Sequence, residues 1–332
     1  MFHLKRIIQD MKLSIPKGTY VVAVSGGVDS VVLLDLLVKQ YMLPVKDSKK
    51  QTTDNRLQIT YRRLQNTDSG VRFVIAHYDH GIREDSEQDR QLVQEAAQKY
   101  KLPFVYNEGK LGPGASEAKA REARYNFLKK VQKASGASAI ITAHHQDDVI
   151  ETAILNMLRG TKRLGITSLK NRPGILRPML HIPKVQIRSY AEANRIVWRE
   201  DSTNSDTKYL RNHIRHKILP KFTKEQRKQF LAHIDSLMKL NQDIDEALDK
   251  QLKSQVDGKN IDRHWFIMLP HTVAVETMAG WLRENDVSID SKRLELLVRG
   301  AKTMELGKQM PVDSVYCMEI GKQQLALKHV ER

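Results

Sequence analysis

A chain of 332 residues exceeds the roughly 100 to 200 residues of a typical domain, so two domains are expected. Hydrophobic content of 40% supports a sizeable core, and no apolar run approaches the roughly 20 residues that a membrane helix needs. The formal net charge of +16 points to a polyanionic partner such as nucleic acid, while the single cysteine, Cys317, excludes an intramolecular disulfide and a metal site made of cysteines alone.

The first residues, "MFHLKRIIQDMKLSIP", alternate charged and apolar side chains without a small-residue cleavage site. They predict an amphipathic lead-in helix rather than a signal peptide, and with it a cytoplasmic location. A β-branched run follows from Tyr20 to Ser25, and an apolar helical pattern begins immediately after Ser25-Gly26-Gly27-Val28-Asp29-Ser30. A strand turning straight into a helix leaves first-turn N–H groups without intrahelical partners, and the helix dipole adds positive charge, so the corner suits a phosphate. No Gly-Lys-Ser/Thr follows, so it is not a Walker A loop, and the dinucleotide spacing is absent. A nest of N–H groups with the Ser25 and Ser30 hydroxyls would hold a pyrophosphate, and Asp29 would take a bridging Mg²⁺. The competing reading is a tight turn capped by Ser30.

Further strands are predicted at Val71–His77, Pro103–Tyr106 and Ser138–Thr142, alternating with helical patterns, which implies an open parallel sheet with helices on both faces. Ser86-Glu87-Gln88-Asp89 reads as a capping box, and Ser116 heads "SEAKAREARYNFLKKV". The polar segment from Lys46 to Ser69 is too long for an ordinary loop and reads as an insertion. Such sheets bind ligands at the carboxyl ends of their strands, so His77, His80 and Arg83 of "HYDHGIRED" fall near the same edge as the glycine corner. After the fourth strand, "TAHHQDDVIETAILNMLRG" sets Asp148 and Glu151 three apart on one helix face. Ile150, Ala153, Ile154 and Met157 form the expected buried stripe, so the two carboxylates should point away from the core. His144, His145, Asp147 and Asp148 leave a metal hydrolase open, although adjacent residues rarely converge on one ion, and acidic residues also stabilise any first turn.

Beyond Leu176 the chain carries a Pro-punctuated segment, then "DTKYLRNHIRHKILPKF", a basic helix ended by Pro220. A long amphipathic helix from Thr223 to about Gln255 buries Phe230, Ile234, Leu237, Met238, Ile244, Leu248 and Leu252. Two more helices precede a strand-like tail from Gln309 to Val330, so residues 220–332 are read as a smaller, mainly helical domain with a short β tail. Lys208, Arg211, Arg215, Lys217, Lys221, Lys224, Arg227 and Lys228 face only Asp206 and Glu225, a segment suited to a polyanionic backbone or merely to solvent.

The corner Ser25 to Ser30 is similar to the loop of N-type ATP pyrophosphatases (the PP-loop superfamily), which split ATP into AMP and pyrophosphate to adenylate a substrate. With "HYDHGIR", "EAKAREARY", "AHHQDDVIET", "RG", "RP" and "DSTN" followed by "YLRNHIRHKILP", the chain resembles the bacterial tRNA(Ile)-lysidine synthetases from about Tyr20 to Pro220. The resemblance implies an adenine nucleotide alpha hydrolase-like fold over residues 1–219 and a tRNA-binding domain over 220–332, in a short form with one C-terminal domain. It implies ligation of free L-lysine to carbon 2 of the wobble cytidine in tRNA(Ile) with a CAU anticodon, with ATP and Mg²⁺. Ser25, Gly26, Gly27, Val28, Asp29, Ser30, His77, His80, Arg83 and His145 would bind the nucleotide, and Asp148, Glu151, Arg124 and Arg215 would form the lysine and reaction site. A tRNA thiolase shares the loop, but sulfur delivery needs a persulfide-forming cysteine or an iron–sulfur cluster, and only Cys317 is present. A basic RNA-binding protein without turnover is the other reading. The sequence leaves open whether the chain is a monomer or a homodimer.

Overall fold

The computed structural model describes residues 11, 13–42, 69–81, 85–109, 112, 116–200 and 210–330. The expected lead-in helix, apart from its last residues, the insertion up to residue 68, and Arg83 lie outside them. The chain forms two compact units, Met1–Ile234 and Asp235–Arg332. Among the described residues no helix is long and apolar enough to cross a membrane.

The first unit is built on β1 (Gly18–Ala23), β2 (Val71–Asp79), β3 (Phe104–Glu108), β4 (Ala139–Ile141) and β5 (Ile175–Leu176). All neighbours are parallel, in the order β3-β2-β1-β4-β5. The two-residue β5 lies within "NRPGILRP", too short to carry the alternation by which a strand is read from sequence. Side chains alternate between the faces of β1. Tyr20 and Val22 pack with α1 (Val28–Tyr41), α2 (Ser86–Lys99) and α6 (Lys184–Ala193), whereas Val21 meets Leu128 and Val131 of α3 (Glu117–Ser135) on the other face. The open parallel sheet is thus covered on both sides.

Helix starts follow local chemistry, with exceptions. Ser116 caps α3 by accepting from Lys119 N, as expected, and a left-handed Gly136 ends that helix. The capping box expected at Ser86–Asp89 does not form: Ser86 is already helical, and Asp85 at the cap position makes no side-chain cap bond. After β4 come α4 (Gln146–Leu158) and the short α5 (Arg163–Ile166). The stretch read as one basic helix is instead α7 (Leu210–His213), a π turn over Ile214–Ile218 and a 3₁₀ turn over Leu219–Lys221 that contains Pro220. Proline, lacking an N–H, is accommodated in the tighter turn at the helix end rather than after it. Ile214 and Leu219 are buried here against Ile150 and Leu155 of α4.

The long helix α8 (Lys224–Gln255) forms as its apolar period predicts, and the division between the units falls inside it. In the second unit, β6 (Val256–Asp257), β7 (Asn260–Asp262), β8 (Gln309–Pro311), β9 (Tyr316–Ile320) and β10 (Gln324–His329) make an antiparallel sheet ordered β6-β7-β10-β9-β8. With α9 (Arg263–Met268), α10 (His271–Glu284) and α11 (Ser291–Thr303) it encloses Phe266, Met278, Trp281, Met318 and Leu325.

One polar hub lies inside the first core. Buried Asp35 accepts from Tyr100 Oη at 2.6 Å and Tyr190 Oη at 2.7 Å, and Lys39 Nζ stands 2.8 Å away. Burial and the Asp35 charge push both phenols well above their ordinary pKa, so they remain donors and join α1 to α6 and to the end of α2. Replacing Asp35 with Ala removes the acceptor of the half-buried Tyr100 and the buried Tyr190 hydroxyls and the partner of Lys39, and should lower stability by about 3 kcal/mol. Urea denaturation checks this, and a wild-type midpoint would remove the hub from the account of the fold.

Candidate active site

The strand order reverses between β1 and β4, and a cavity of about 440 Å³ opens at the carboxyl ends of β1, β2 and β4. That is where an open α/β sheet gathers the loops from both of its halves. Ser25, Gly27, Val28, Asp29 and Ser30 line it from the glycine corner, His77 and His80 from the end of β2, His144 and Asp148 from the segment after β4, and Arg124 from α3.

The corner is held by its own hydroxyls. Ser30 Oγ donates to Gly27 O at 2.9 Å and accepts from Ser25 N at 3.1 Å, while Ser30 N and Val31 N donate to Gly27 O. Ser30 therefore shapes the turn, and the cap position of α1, Gly27, carries no side-chain cap. Gly26 adopts φ +92°, and a Cβ there would come within 3.3 Å of Asp89 Cβ, so both conformation and space require glycine.

His77 and His144 are held neutral by burial. His77 Nδ1 lies 2.9 Å from Val24 O, which only accepts, so Nδ1 carries the proton and the buried Nε2, which has no partner, is an acceptor. Burial drives the pKa of His77 down, despite the Val24 bond and nearby acids that raise it. Burial also holds His144 well below its ordinary value, with Arg177, Arg124 and Arg121 adding repulsion, and its Nδ1 bonds Thr142 Oγ1 at 2.8 Å. His145 is buried beside the cavity, with Nε2 3.7 Å from Asp29 Oδ1 and 3.4 Å from Asp148 Oδ2. It bridges the glycine corner to the acidic helix.

On α4 the expected outward pair divides. Asp148 lines the cavity, its Oδ2 accepting from His145 N at 2.9 Å. Glu151 is 1% exposed and does not line the cavity: Arg211 Nε reaches Oε1, and Arg215 Nε and a terminal nitrogen of its guanidinium reach Oε2 at 2.9 Å. Burial raises its pKa, opposed by Arg215 and reinforced by Asp148. Met157, assigned to the buried stripe, is 43% exposed, and the α4 side chains buried against Ile214 and Leu219 are those of Ile150 and Leu155. The basic segment also divides. Arg211, Arg215 and Arg227 are drawn into ion pairs of the first unit, Arg227 with Asp147 at 2.7 Å, while Lys217, Lys221, Lys224 and Lys228 stay exposed.

Sequence reading missed two basic residues of the site. Lys184, the first residue of α6, places Nζ 2.5 and 2.7 Å from the Asp29 carboxylate oxygens. Arg199 donates through its backbone to Gly26 O at 3.1 Å, and its side chain binds Asp85, Asp89 and Gln88. Both sit far from the corner in sequence, and only the Pro183-Lys184 start of a helix after the fifth strand marks the first. Among the described residues no three His, Cys, Asp or Glu side chains form a group that could hold a metal ion, and His144, His145, Asp147 and Asp148 make no such group. Asp29, one carboxylate beside a phosphate-type corner, fits the magnesium pattern, in which one or two carboxylates complete a shell otherwise made of phosphate and water.

The fold and the cavity thus define an α/β nucleotide-type site with a glycine corner at the sheet's switch point. A PP-loop domain profile matches residues 2–222, and the chain belongs to that family. The tRNA(Ile)-lysidine synthase of Enterococcus faecalis is 33% identical over 248 residues, covering 73% of this chain and 48% of the relative. That of Thermotoga maritima is 35% identical over 206 residues, covering 60% and 44%, and that of Thermus thermophilus 37% over 212 residues, covering 62% and 36%. The chain spans about half or less of the length of these curated relatives. Among solved structures, the U34-tRNA thiolase NcsA of Methanococcus maripaludis with its [4Fe-4S] cluster aligns with a TM-score of 0.52 at 15% identity, over 72% of this chain and 79% of that one, a likeness of fold.

Neutral burial of His77 and His144 has a pH signature. Their folded pKa values lie below the ordinary 6.5, so between those values and 6.5 the unfolded chain binds more protons and stability rises with pH. The contribution is complete above about pH 6.5 and is lost as pH falls through the folded values. The thermal midpoint of the wild type should drop between about pH 7 and about pH 5 more than that of His144→Gln. Parallel declines in the two proteins would contradict neutral burial of His144.

Proposed function

We propose that this protein ligates free L-lysine to carbon 2 of the wobble cytidine of tRNA(Ile) with a CAU anticodon, using ATP and releasing AMP and pyrophosphate. The observation that carries the reading is the His145 bridge, which sets a phosphate-type corner and a cavity-lining carboxylate, Asp148, on either side of one imidazole. An adenylating ligase for an amine needs those two groups side by side. The named relatives support the substrate class, and the buried Cys317 of the second unit offers no accessible thiol for sulfur transfer.

The chemistry follows from the residues. Oxygen 2 of cytosine leaves poorly, so it is first adenylated, and the N–H groups of Gly26, Gly27 and Val28 with the Ser25 hydroxyl, on a turn that Ser30 shapes, hold the departing diphosphate. Asp29 is the residue to hold Mg²⁺, which would neutralise phosphate charge. His77, through its unprotonated Nε2, accepts from a nucleotide N–H, while His80, His145 and Arg83 complete the nucleotide contacts. The lysine ε-ammonium, with an ordinary pKa near 10.4, must lose a proton before it attacks. Asp148 receives the ammonium from the cavity and takes the proton it sheds, and as the amine bonds to carbon 2 the bond from that carbon to the adenylated oxygen breaks and AMP leaves. Glu151, buried behind it and of raised pKa, fixes Arg215, and Arg215 and Arg124 present planar donors to the lysine carboxylate or to phosphate. These substrates place the reaction in the cytoplasm, and the exposed Lys217, Lys221, Lys224 and Lys228 suit the tRNA backbone.

The test is incubation with ATP, Mg²⁺, lysine and tRNA(Ile), followed by nucleoside mass analysis. Lysidine should appear, and Asp148→Ala should lower its formation at least about 100-fold while ATP affinity stays within about twofold. Cytidine left unmodified by the wild type sinks the proposal, and normal turnover by Asp148→Ala removes that residue from the lysine site. Replacing Lys221 and Lys224 together by Gln should weaken tRNA binding and reduce the slope of log affinity against log salt by about one for each phosphate no longer neutralised. An unaltered slope would assign the exposed lysines to solvent.

A further inference from the structure

The glycine corner lacks a cation of its own from Ser25 to Ser30, yet its site is meant for a polyanion. The basic side chains around it are unequally committed. Arg199 is bound to Asp85, Gln88 and Asp89, and Arg215 to Glu151 and Asp148, in pairs that hold elements of the fold together. Lys184 differs. Its Nζ is bound to the loop's own carboxylate, Asp29, and both side chains line the cavity. Its backbone is fixed independently of that contact: Lys184 N donates to Asp147 Oδ1 at 3.0 Å, and Asp147 Oδ2 accepts from Arg227 at 2.7 Å. Burial works against ionisation of Asp147, but the Lys184 N–H and Arg227 outweigh it and lower its pKa, so this clamp on the start of α6 persists at neutral pH. A flexible four-carbon stem rooted at a fixed backbone delivers a mobile point charge.

We propose that Lys184 is a further catalytic residue of this site: its ammonium exchanges Asp29 for the β- and γ-phosphate oxygens of ATP and stays on the diphosphate as it departs. The inference rests on the ATP-dependent reading above and deepens it. In the adenylation step the cytosine oxygen forms the new bond to the α-phosphorus, and the bond from that phosphorus to the β-bridging oxygen breaks. Its electron pair remains on the diphosphate, and Lys184 neutralises that charge without gaining or losing a proton. Charge-assisted hydrogen bonds of this kind are roughly twice as strong as neutral ones. The exchange frees the Asp29 carboxylate, the residue that would hold Mg²⁺ and would then be compensated by it beside the phosphates.

The experiment compares ATP and AMP binding by calorimetry to the full chain carrying Lys184→Gln or Lys184→Arg. Gln removes the charge while keeping a polar side chain, and AMP has no β- or γ-phosphate. We expect Lys184→Gln to lose at least about tenfold in ATP affinity with AMP affinity within about twofold, and Lys184→Arg to retain most of the ATP preference. Unchanged ATP affinity in Lys184→Gln, or equal losses for ATP and AMP, would overturn the assignment, the second because it marks damage to the whole pocket. AMP binding by the same variant serves as its folding control, and an Arg variant with no preference for ATP would also count against the role. A wild type that prefers ATP through Lys184 yet makes no lysidine would refute the ligase reading and leave this inference standing.

Discussion

The site depends on one carboxylate at the turn from strand to helix. Asp29 sits in the first turn of α1, where the helix dipole favours negative charge, and draws to itself Lys184 from the start of α6 and the His145 ring from the start of α4. Both partners come from segments more than a hundred residues further along the chain. The sheet makes this possible because β1 and β4 are neighbours whose connections run to opposite sides, so their carboxyl ends leave a crevice that neither loop fills. Without the Asp29 pairings the crevice would still exist, but its charged groups would have no common centre.

Burial and pairing set the electrostatics around that centre. Glu151 shows the competition plainly: two guanidinium groups hold it, yet its pKa is raised, because removal from water outweighs their attraction. Asp147 is the opposite case, where a helix N–H and Arg227 overcome the same penalty. The difference is one of geometry: Asp147 receives one donor on each oxygen at the mouth of a helix, while Glu151 is deeper and lies next to a second acid, Asp148. Two acidic residues one helical turn apart in sequence thereby acquire different tasks, Asp148 facing the cavity and Glu151 anchoring the arginines behind it.

Much of this was legible in the sequence where the signal is local. The run from Tyr20 into Ser25-Gly26-Gly27 announces a strand, a corner and a helix, since β-branched residues, glycines and an apolar 3.6 period each have a direct conformational reason. The amphipathic period of α8 is equally direct, and Ile234 and Leu252 are buried as it requires. Spacing of three placed Asp148 and Glu151 on one face but could not say what would cover that face. Arg211 and Arg215 come to Glu151 from a segment about 60 residues further on, so its burial is a tertiary fact. Lys184 and Arg199 were hidden for the same reason, each being one basic residue among 55 until the fold carried it to the corner.

The basic charge of the chain, read as a single property, separates in three dimensions into distinct kinds of cation. Arg211, Arg215 and Arg227 neutralise buried or half-buried carboxylates, which gives them large desolvation penalties to recover and makes them poor candidates for exchange with a nucleic acid. Lys217, Lys221, Lys224 and Lys228 stay exposed and hydrated, the state in which a phosphate contact releases counterions at little structural expense. The division follows the chemistry of the two side chains: a planar guanidinium satisfies a carboxylate through two donors and tolerates burial, whereas an ammonium is strongly hydrated and stays in water unless a carboxylate draws it in. Lys39 is drawn in by Asp35, and Lys184 by Asp29 at the edge of the cavity beside the glycine corner. That position leaves the Lys184 charge on a carboxylate of the cavity wall, where an incoming anion can compete for it.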